Sequence, residues 1–223
     1  MSEFRNFIVS PSVLNADLNH FDVEVDKIKN QAGMTWIHFD AMDGQFVKSV
    51  RFEKDELKKY CQNLALIKDV HIMIANPLDH VQDYKDCGAD YLTFHYEACK
   101  DDEEVKKVID KIHQLGMKAG LSVKPNTPIE NVFPFLFDLE IVLVMSVEPG
   151  YGGQRFIAAS LDKIKKLKEA IIYQNTNTKI SVDGGINDVT GHQCVEAGAD
   201  ILVVGQYLFG HADFLERYQR LIK

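Results

Sequence analysis

Four side chains able to hold a metal or move a proton stand at the ends of apolar, strand-like runs: His38, Asp40, His71 and Asp183. The runs are 35–40 (TWIHFD), 67–74 (IKDVHIMI) and 179–183 (KISVD). Side chains two apart on a strand share a face. His38 therefore sits with Asp40, His71 with Met73, and Ser181 with Asp183. Ile37, Phe39, Ile72, Ile74, Ile180 and Val182 fill the opposite face. Two carboxylates brought together away from water are costly unless a cation compensates them. Mixed imidazole and carboxylate ligands suit zinc, iron(II), manganese or cobalt better than calcium. A single His or Asp at a strand end is usually a cap or a satisfied polar group. Four of them on one parity, at one end of parallel strands, point to a metal or acid/base site.

A second signal is glycine at later strand ends. Glu148-Pro149-Gly150-Tyr151-Gly152-Gly153-Gln154 follows the sixth apolar run, Asp183-Gly184-Gly185-Ile186 the seventh, and Gly205-Gln206 the eighth. Such clusters can turn backbone amides onto a phosphate and admit it close to the chain. Any one Gly-Gly also suits an ordinary tight turn. Three clusters on successive strand ends match the usual phosphate place of a barrel. Tyr151, flanked by glycines, is placed to belong to a mobile lid.

The elements that must position these residues alternate. Strands are expected at 6–10, 35–40, 67–74, 90–95, 117–122, 140–145, 179–183 and 200–204. Helices are expected at 19–31, 53–62, 78–86, 102–115, 158–173, 188–196 and 211–222. The interval 126–138 is a poorer helix, limited by Pro128 and Pro134. Short β-branched and aromatic runs suit strands buried on both faces. Eight βα units predict an α/β fold of the (β/α)8 TIM-barrel type, a single domain over residues 1–223. The alternative is a doubly wound open sheet, which seldom uses eight units so evenly.

Composition narrows the partners. The chain has 223 residues, 46% hydrophobic and 26% charged, with a net charge of −8 and no basic block. That argues against nucleic acid and anionic membranes, which need clustered Lys and Arg. No apolar run reaches membrane-spanning length, and the first residues lack an apolar leader. Cytoplasmic location is expected. Cys61, Cys87, Cys99 and Cys194 are spaced as free thiols.

Taken together these residues resemble the ribulose-phosphate 3-epimerase family. The matching stretches include Ser10-Pro11-Ser12-Val13-Leu14, His38 to Gly44, His71-Ile72-Met73-Ile74, Phe94-His95-Tyr96-Glu97, Val144 to Phe156, Val182 to Ile186 and Gly198-Ala199-Asp200. They span nearly the whole chain in family order. The resemblance implies a barrel that interconverts D-ribulose 5-phosphate and D-xylulose 5-phosphate through an enediolate. It implies one divalent metal per chain, zinc first, on His38, Asp40, His71 and Asp183. Asp40 and Asp183 would be the acid/base pair. Ser12 and His71 would contact substrate, Met42, Met73 and Met145 would pad the reacting carbons, and Gly150, Tyr151, Gly152, Gly153, Gly184, Gly185, Gly205 and Gln206 would line the phosphate end. Family members self-associate, so a homo-oligomer is expected.

Two positions depart from the family pattern. Gln206 stands where a small hydroxyl residue is usual, and Lys48-Ser49 where Pro-Asn is favoured. The competing readings are a 3-epimerase of a related ketose phosphate such as D-allulose 6-phosphate, a metal-dependent barrel hydrolase, and a non-catalytic phosphate-binding barrel. A hydrolase usually shows His-x-His on its first strand, and Phe7-Ile8-Val9-Ser10 does not. Intact Asp40 and Asp183 argue against a binding module. His20, His80, His113, His192 and His211 read as surface residues on helices, His95 as a hydrogen-bonded interior histidine, and Lys124 as structural.

Overall fold

The computed structural model describes residues 6–223. Residues 1–5, most of the segment read above for a leader, lie outside the described residues. The order is β1 (Ile8–Pro11), α1 (Phe21–Asp26), β2 (Trp36–Asp43), β3 (Val50–Arg51), α2 (Lys54–Cys61), β4 (Ile67–Met73), α3 (Pro77–Cys87), β5 (Tyr91–His95), α4 (Asp102–Gln114), β6 (Lys118–Val123), β7 (Ile141–Met145), α5 (Ser160–Gln174), β8 (Lys179–Asp183), α6 (Asp188–Ala197), β9 (Ile201–Val204) and α7 (Phe214–Leu221). All the strands but β3 pair in parallel, in the order β1-β9-β8-β7-β6-β5-β4-β2. A parallel bridge between Ser12 and His38 joins β1 to β2 and closes the ring. This is the (β/α)8 barrel.

Each expected strand is present within one to three residues at either end. The differences lie between strands. The interval after β6 forms a 3-10 helix, Ile129–Asp138, with Pro134 inside it. Proline supplies no N–H and clashes with an α-helical carbonyl one turn back, so the tighter helix is the form this stretch can take. The first helix widens into a π-turn over Lys27–Gln31. β2 runs past the ring and folds back on β3 as an antiparallel hairpin, with Met42 opposite Arg51. The sequence reading had no place for that hairpin.

The interior is layered, as expected of a barrel. Trp36, Tyr91, Ile141 and Ile201 fill the amino-terminal end, with the Trp36 and Tyr91 rings 4.7 Å apart. Ile37, Phe39 and Ile72 face the helix layer and are fully buried. Burial of each contributes about 1.5–3 kcal/mol relative to exposure. That set locks the register: a one-residue slip of β2 would turn these side chains to the axis and expel His38 and Asp40.

Gly120 on β6 lets the barrel wall close tightly on β5. A Cβ there would lie 2.1 Å from Thr93 Oγ1 and 3.2 Å from the Thr93 Cα on β5. Gly120→Ala is expected to lower stability by about 1–3 kcal/mol, the usual range for overpacking. Urea unfolding measures it, and an unchanged midpoint would show that β5 and β6 can separate locally.

Candidate functional site

The carboxyl ends of β1, β2, β4 and β8 bring Ser12, His38, Asp40, His71 and Asp183 to one place. One ligand atom from each of His38, Asp40, His71 and Asp183 lies within 4.8 Å of the others. Asp40 is at the centre. Its Oδ1 is 3.3 Å from His38 Nε2 and 3.1 Å from His71 Nδ1. Its Oδ2 accepts from Ser12 Oγ at 2.7 Å. His38 and His71 have no exposed surface, and Asp40 is only 3% exposed.

Electrostatics separate the two acids. Burial alone would raise the Asp40 carboxyl, but the charge of His38 and hydrogen bonds from His38 and His71 outweigh it and hold Asp40 well below the usual carboxylate range. Among the described residues no such donor reaches Asp183. Burial, then repulsion from Asp40, pushes it up to about 7. Burial disfavours a charge on His38, yet Asp40 and Asp69 on either side raise it well above its ordinary value. A protonated imidazole thus supplies the positive charge this cluster needs when no cation does. The donor set, two imidazoles and two carboxylates around a short span, fits a divalent metal.

A cavity of about 500 Å³ opens above the cluster. Ser12, Asp40 and Asp183 form part of its wall, with Met42, Met73 and Met145 beside them. Gly150, Tyr151, Gly152, Gly153, Gly184, Gly185, Gly205 and Gln206 line its far end. Every residue proposed from the sequence as a substrate contact is on this wall except His71. That residue is fully buried and is not among the lining residues; it lies with the metal-competent cluster instead. Tyr151 is 64% exposed at the rim.

The glycines at the end of β8 are required by geometry. Gly184 has φ +121°, and a Cβ on it would lie 2.5 Å from Val147; Gly185 has φ +63°, with the backbone of Phe156 2.6 Å from the same position. The loop from β7 is packed directly on the loop from β8. Helix α6 then starts at the cavity wall, with Asn187 and Thr190 forming a reciprocal cap.

Several residues here escaped the sequence reading. Asp69, on β4, is 2% exposed and accepts from His38 Nδ1 through Oδ2 at 2.8 Å. It shares the parity of His71 and could have been found by extending that rule one step down the strand. Asn15, Arg155, Thr190 and His211 also line the cavity, brought by loops and a helix start that strand parity does not place. His211 lies on the loop before α7 rather than on a helix. Lys124 does have a packing role: its ammonium sits 4.0 Å over the Phe46 ring, and Phe46 in turn covers His95 with ring centroids 4.8 Å apart. Asp43 ties this covering loop down, accepting from the amides of Gln45, Phe46 and Ala75.

No helix among the described residues is long and apolar enough to cross a membrane. The four cysteines are unpaired.

Fold and site define a parallel β/α barrel with a buried, metal-competent acid cluster at its carboxyl end. The ribulose-phosphate 3-epimerase family model matches residues 8–209, and the chain belongs to that family. A ribulose-phosphate 3-epimerase of Treponema pallidum is 37% identical over 92% of each chain. One from Methanocaldococcus jannaschii is 38% identical over 92% of this chain and 85% of its own. The cytoplasmic isoform from rice, Oryza sativa, is 34% identical over 92% and 88%. Among solved structures, 3-keto-L-gulonate-6-phosphate decarboxylase from Vibrio cholerae superposes with a TM-score of 0.69 at 12% identity, covering 97% of this chain and 96% of that one. A 3-hexulose-6-phosphate synthase gives 0.65 at 16%, covering 96% and 98%. At such identities these two carry the fold alone.

A divalent cation, probed as Zn²⁺, is expected to bind this cluster, and His71→Ala should weaken it by more than the roughly 10–100-fold that loss of a supporting group costs. Affinity should rise with pH through about 7, because Asp183 and His38 must release protons to bind. Isothermal titration across pH 6–8 (about one unit either side of neutrality) checks both. A pH-independent affinity would remove these groups from the ligand set.

Proposed function

We propose that this protein interconverts D-ribulose 5-phosphate and D-xylulose 5-phosphate, with Asp40 and Asp183 moving the proton at carbon 3. Membership of the family supports the reaction. The observation that carries the assignment of roles is the opposition of two acids in one cavity: Asp40 held ionised, Asp183 pushed up to about 7.

Inverting a carbon next to a carbonyl needs a proton removed from one face and another delivered to the opposite face. One side chain cannot easily reach both. Two carboxylates can, one ionised as base and one protonated as acid, exchanging roles with direction. An acid near 7 is poised for this, since it can give and take a proton at working pH. Proton removal leaves an enediolate on the sugar. Ser12 Oγ donates to Asp40 Oδ2 and so aims the carboxylate while favouring its ionised form. Met42, Met73 and Met145 give the reacting carbons an apolar, adaptable wall. A divalent cation held by His38, Asp40, His71 and Asp183, zinc first among the candidates, supplies positive charge against the developing oxyanion when bound.

At the other end, the Gly150–Gly153 and Gly184–Gly185 loops and the start of α6 line the same cavity, and their backbone amides are the donors we assign to a phosphate. They offer a phosphate the local positive potential that the chain's net charge of −8 does not.

Incubation with D-ribulose 5-phosphate in deuterium oxide should yield D-xylulose 5-phosphate carrying deuterium at carbon 3, and a chelator should stop it. Asp183→Asn should lower kcat by about 10²–10⁴-fold, the contribution typical of a general acid/base, with the fold unchanged by circular dichroism. A near-normal rate would take Asp183 out of the chemistry. Faster turnover of D-allulose 6-phosphate in a parallel assay would move the assignment to that substrate.

A further inference from the structure

Each histidine facing the metal cluster spends its second ring nitrogen on another buried group. His38 turns Nε2 toward Asp40 and donates from Nδ1 to Asp69 Oδ2 at 2.8 Å. His71 is turned the other way round. Its Nδ1 faces Asp40 at 3.1 Å, and its Nε2 lies 2.9 Å from His95 Nε2. Two neutral ring nitrogens at that distance share one proton, so one must donate and the other accept.

The next contacts decide which. His95 Nδ1 lies 3.2 Å from Glu97 Oε2. Glu97 also accepts from the Lys124 amide at 2.7 Å and from the Thr127 hydroxyl. Burial opposes its charge, but the hydrogen bonds from His95 and Thr127 prevail and bring it down to about 2. His95 is fully buried, with Glu97 at its Nδ1 and His71 at its Nε2. An ionised Glu97 can only accept. His95 therefore carries its proton on Nδ1 and presents a lone pair at Nε2. His71 must then donate from Nε2, so a cation that displaces the proton Nδ1 shares with Asp40 meets the lone pair of Nδ1. The same logic on the other side leaves His38 to offer Nε2 once the proton it shares with Asp40 is displaced.

We infer that Asp69 directly, and Glu97 through His95, are positioning residues that fix which nitrogen each histidine offers to the metal, Nε2 of His38 and Nδ1 of His71. The inference rests on the metal reading above. Neither carboxylate lines the substrate cavity, so both act through the ligands they orient. In the alternative tautomer either histidine would point an N–H at the cation and lose it as a ligand. Supporting groups of this kind are typically worth 10–100-fold in metal affinity.

The experiment reads the metal and not turnover. Zn²⁺ dissociation constants are measured by chelator competition for the wild type, Asp69→Ala, Asp69→Asn, Glu97→Gln and, as a barrel-interior control whose hydroxyl makes no hydrogen bond to either histidine, Ser181→Ala. Asp69→Ala should weaken binding about 10–100-fold. Asp69→Asn, which keeps an acceptor oxygen, should recover part of the loss, and Ser181→Ala should stay within about twofold. Long-range ¹H–¹⁵N spectra of the zinc-loaded wild type should show His38 protonated on Nδ1 and His71 on Nε2, a readout that does not depend on any variant folding. Identical tautomers for the two rings, or an unchanged affinity in both Asp69→Ala and Glu97→Gln, would overturn the inference while leaving the metal site standing. A wild type that binds no Zn²⁺ would instead overturn the metal reading, and the inference with it.

Discussion

The carboxylate of Asp40 is the interaction on which this barrel's mouth depends. One oxygen serves His38 and His71 and the other takes the Ser12 hydroxyl. Those contacts tie β1, β2 and β4 together at the seam where the ring closes. That seam is thin: β1 and β2 share one parallel bridge, Ser12 to His38. The hydrogen bond from Ser12 to Asp40 crosses the same gap one step nearer the mouth. A charge buried at this depth is tolerable only when it is paired and hydrogen-bonded. The cluster is therefore both the proposed chemical centre and a condition for the strands meeting in this register.

Much of this was legible in the sequence, and the reason is the period of two. Once Ile37 and Phe39 are assigned to the helix layer, His38 and Asp40 must face the axis, and the same holds for His71 and Asp183. The glycine clusters were legible because a chain that turns sharply and packs loop on loop, as Gly184 does against Val147, has few alternatives. What stayed hidden has two causes. Asp69 and the Glu97–His95 pair act one layer away from the strand ends, so attention to the ends passed over Asp69 and left His95 without its role. Asn15, Arg155 and His211 reach the cavity from irregular segments, where no periodicity links sequence position to direction. The hairpin of β2 with β3 belongs to the same class. Asp43 holds it with the nearby amides of Gln45 and Phe46 and with that of Ala75 from the next βα unit, and this last contact depends on tertiary placement.

The asymmetry between the two acids has a simple origin. Asp40 collects donors from three side chains. Among the described residues no donor reaches the Asp183 carboxylate, which faces the cavity and the negative charge of Asp40 instead. Identical functional groups are thus split in proton affinity by neighbours alone. A cation among the four ligands would lower the proton affinity of both, and the difference in hydrogen bonding would persist. The split is built into the scaffold, because Ser12, His38 and His71 are each fixed by their own strand.

Charge at the far end of the cavity follows a different rule. The chain is acidic overall, and Arg155 is the one permanently cationic side chain among the lining residues, itself exposed. In the proposed reading the phosphate is met mainly by oriented backbone amides. Such donors cannot swing away or be neutralised, and they demand that the backbone come close, which side chains at Gly184 and Gly185 would prevent. Gln206 and Asn15 fit into the same wall: a Cβ on Gly153 would lie 2.9 Å from Gln206 Oε1, and one on Gly152 2.8 Å from Asn15 Oδ1. The larger Gln206, where the family usually carries a small hydroxyl, is therefore accommodated by the absence of side chains opposite it. The end of the cavity proposed for the phosphate is shaped by glycines after β7 and β8 and by amide side chains after β1 and β9, and a change on either side has to be answered on the other.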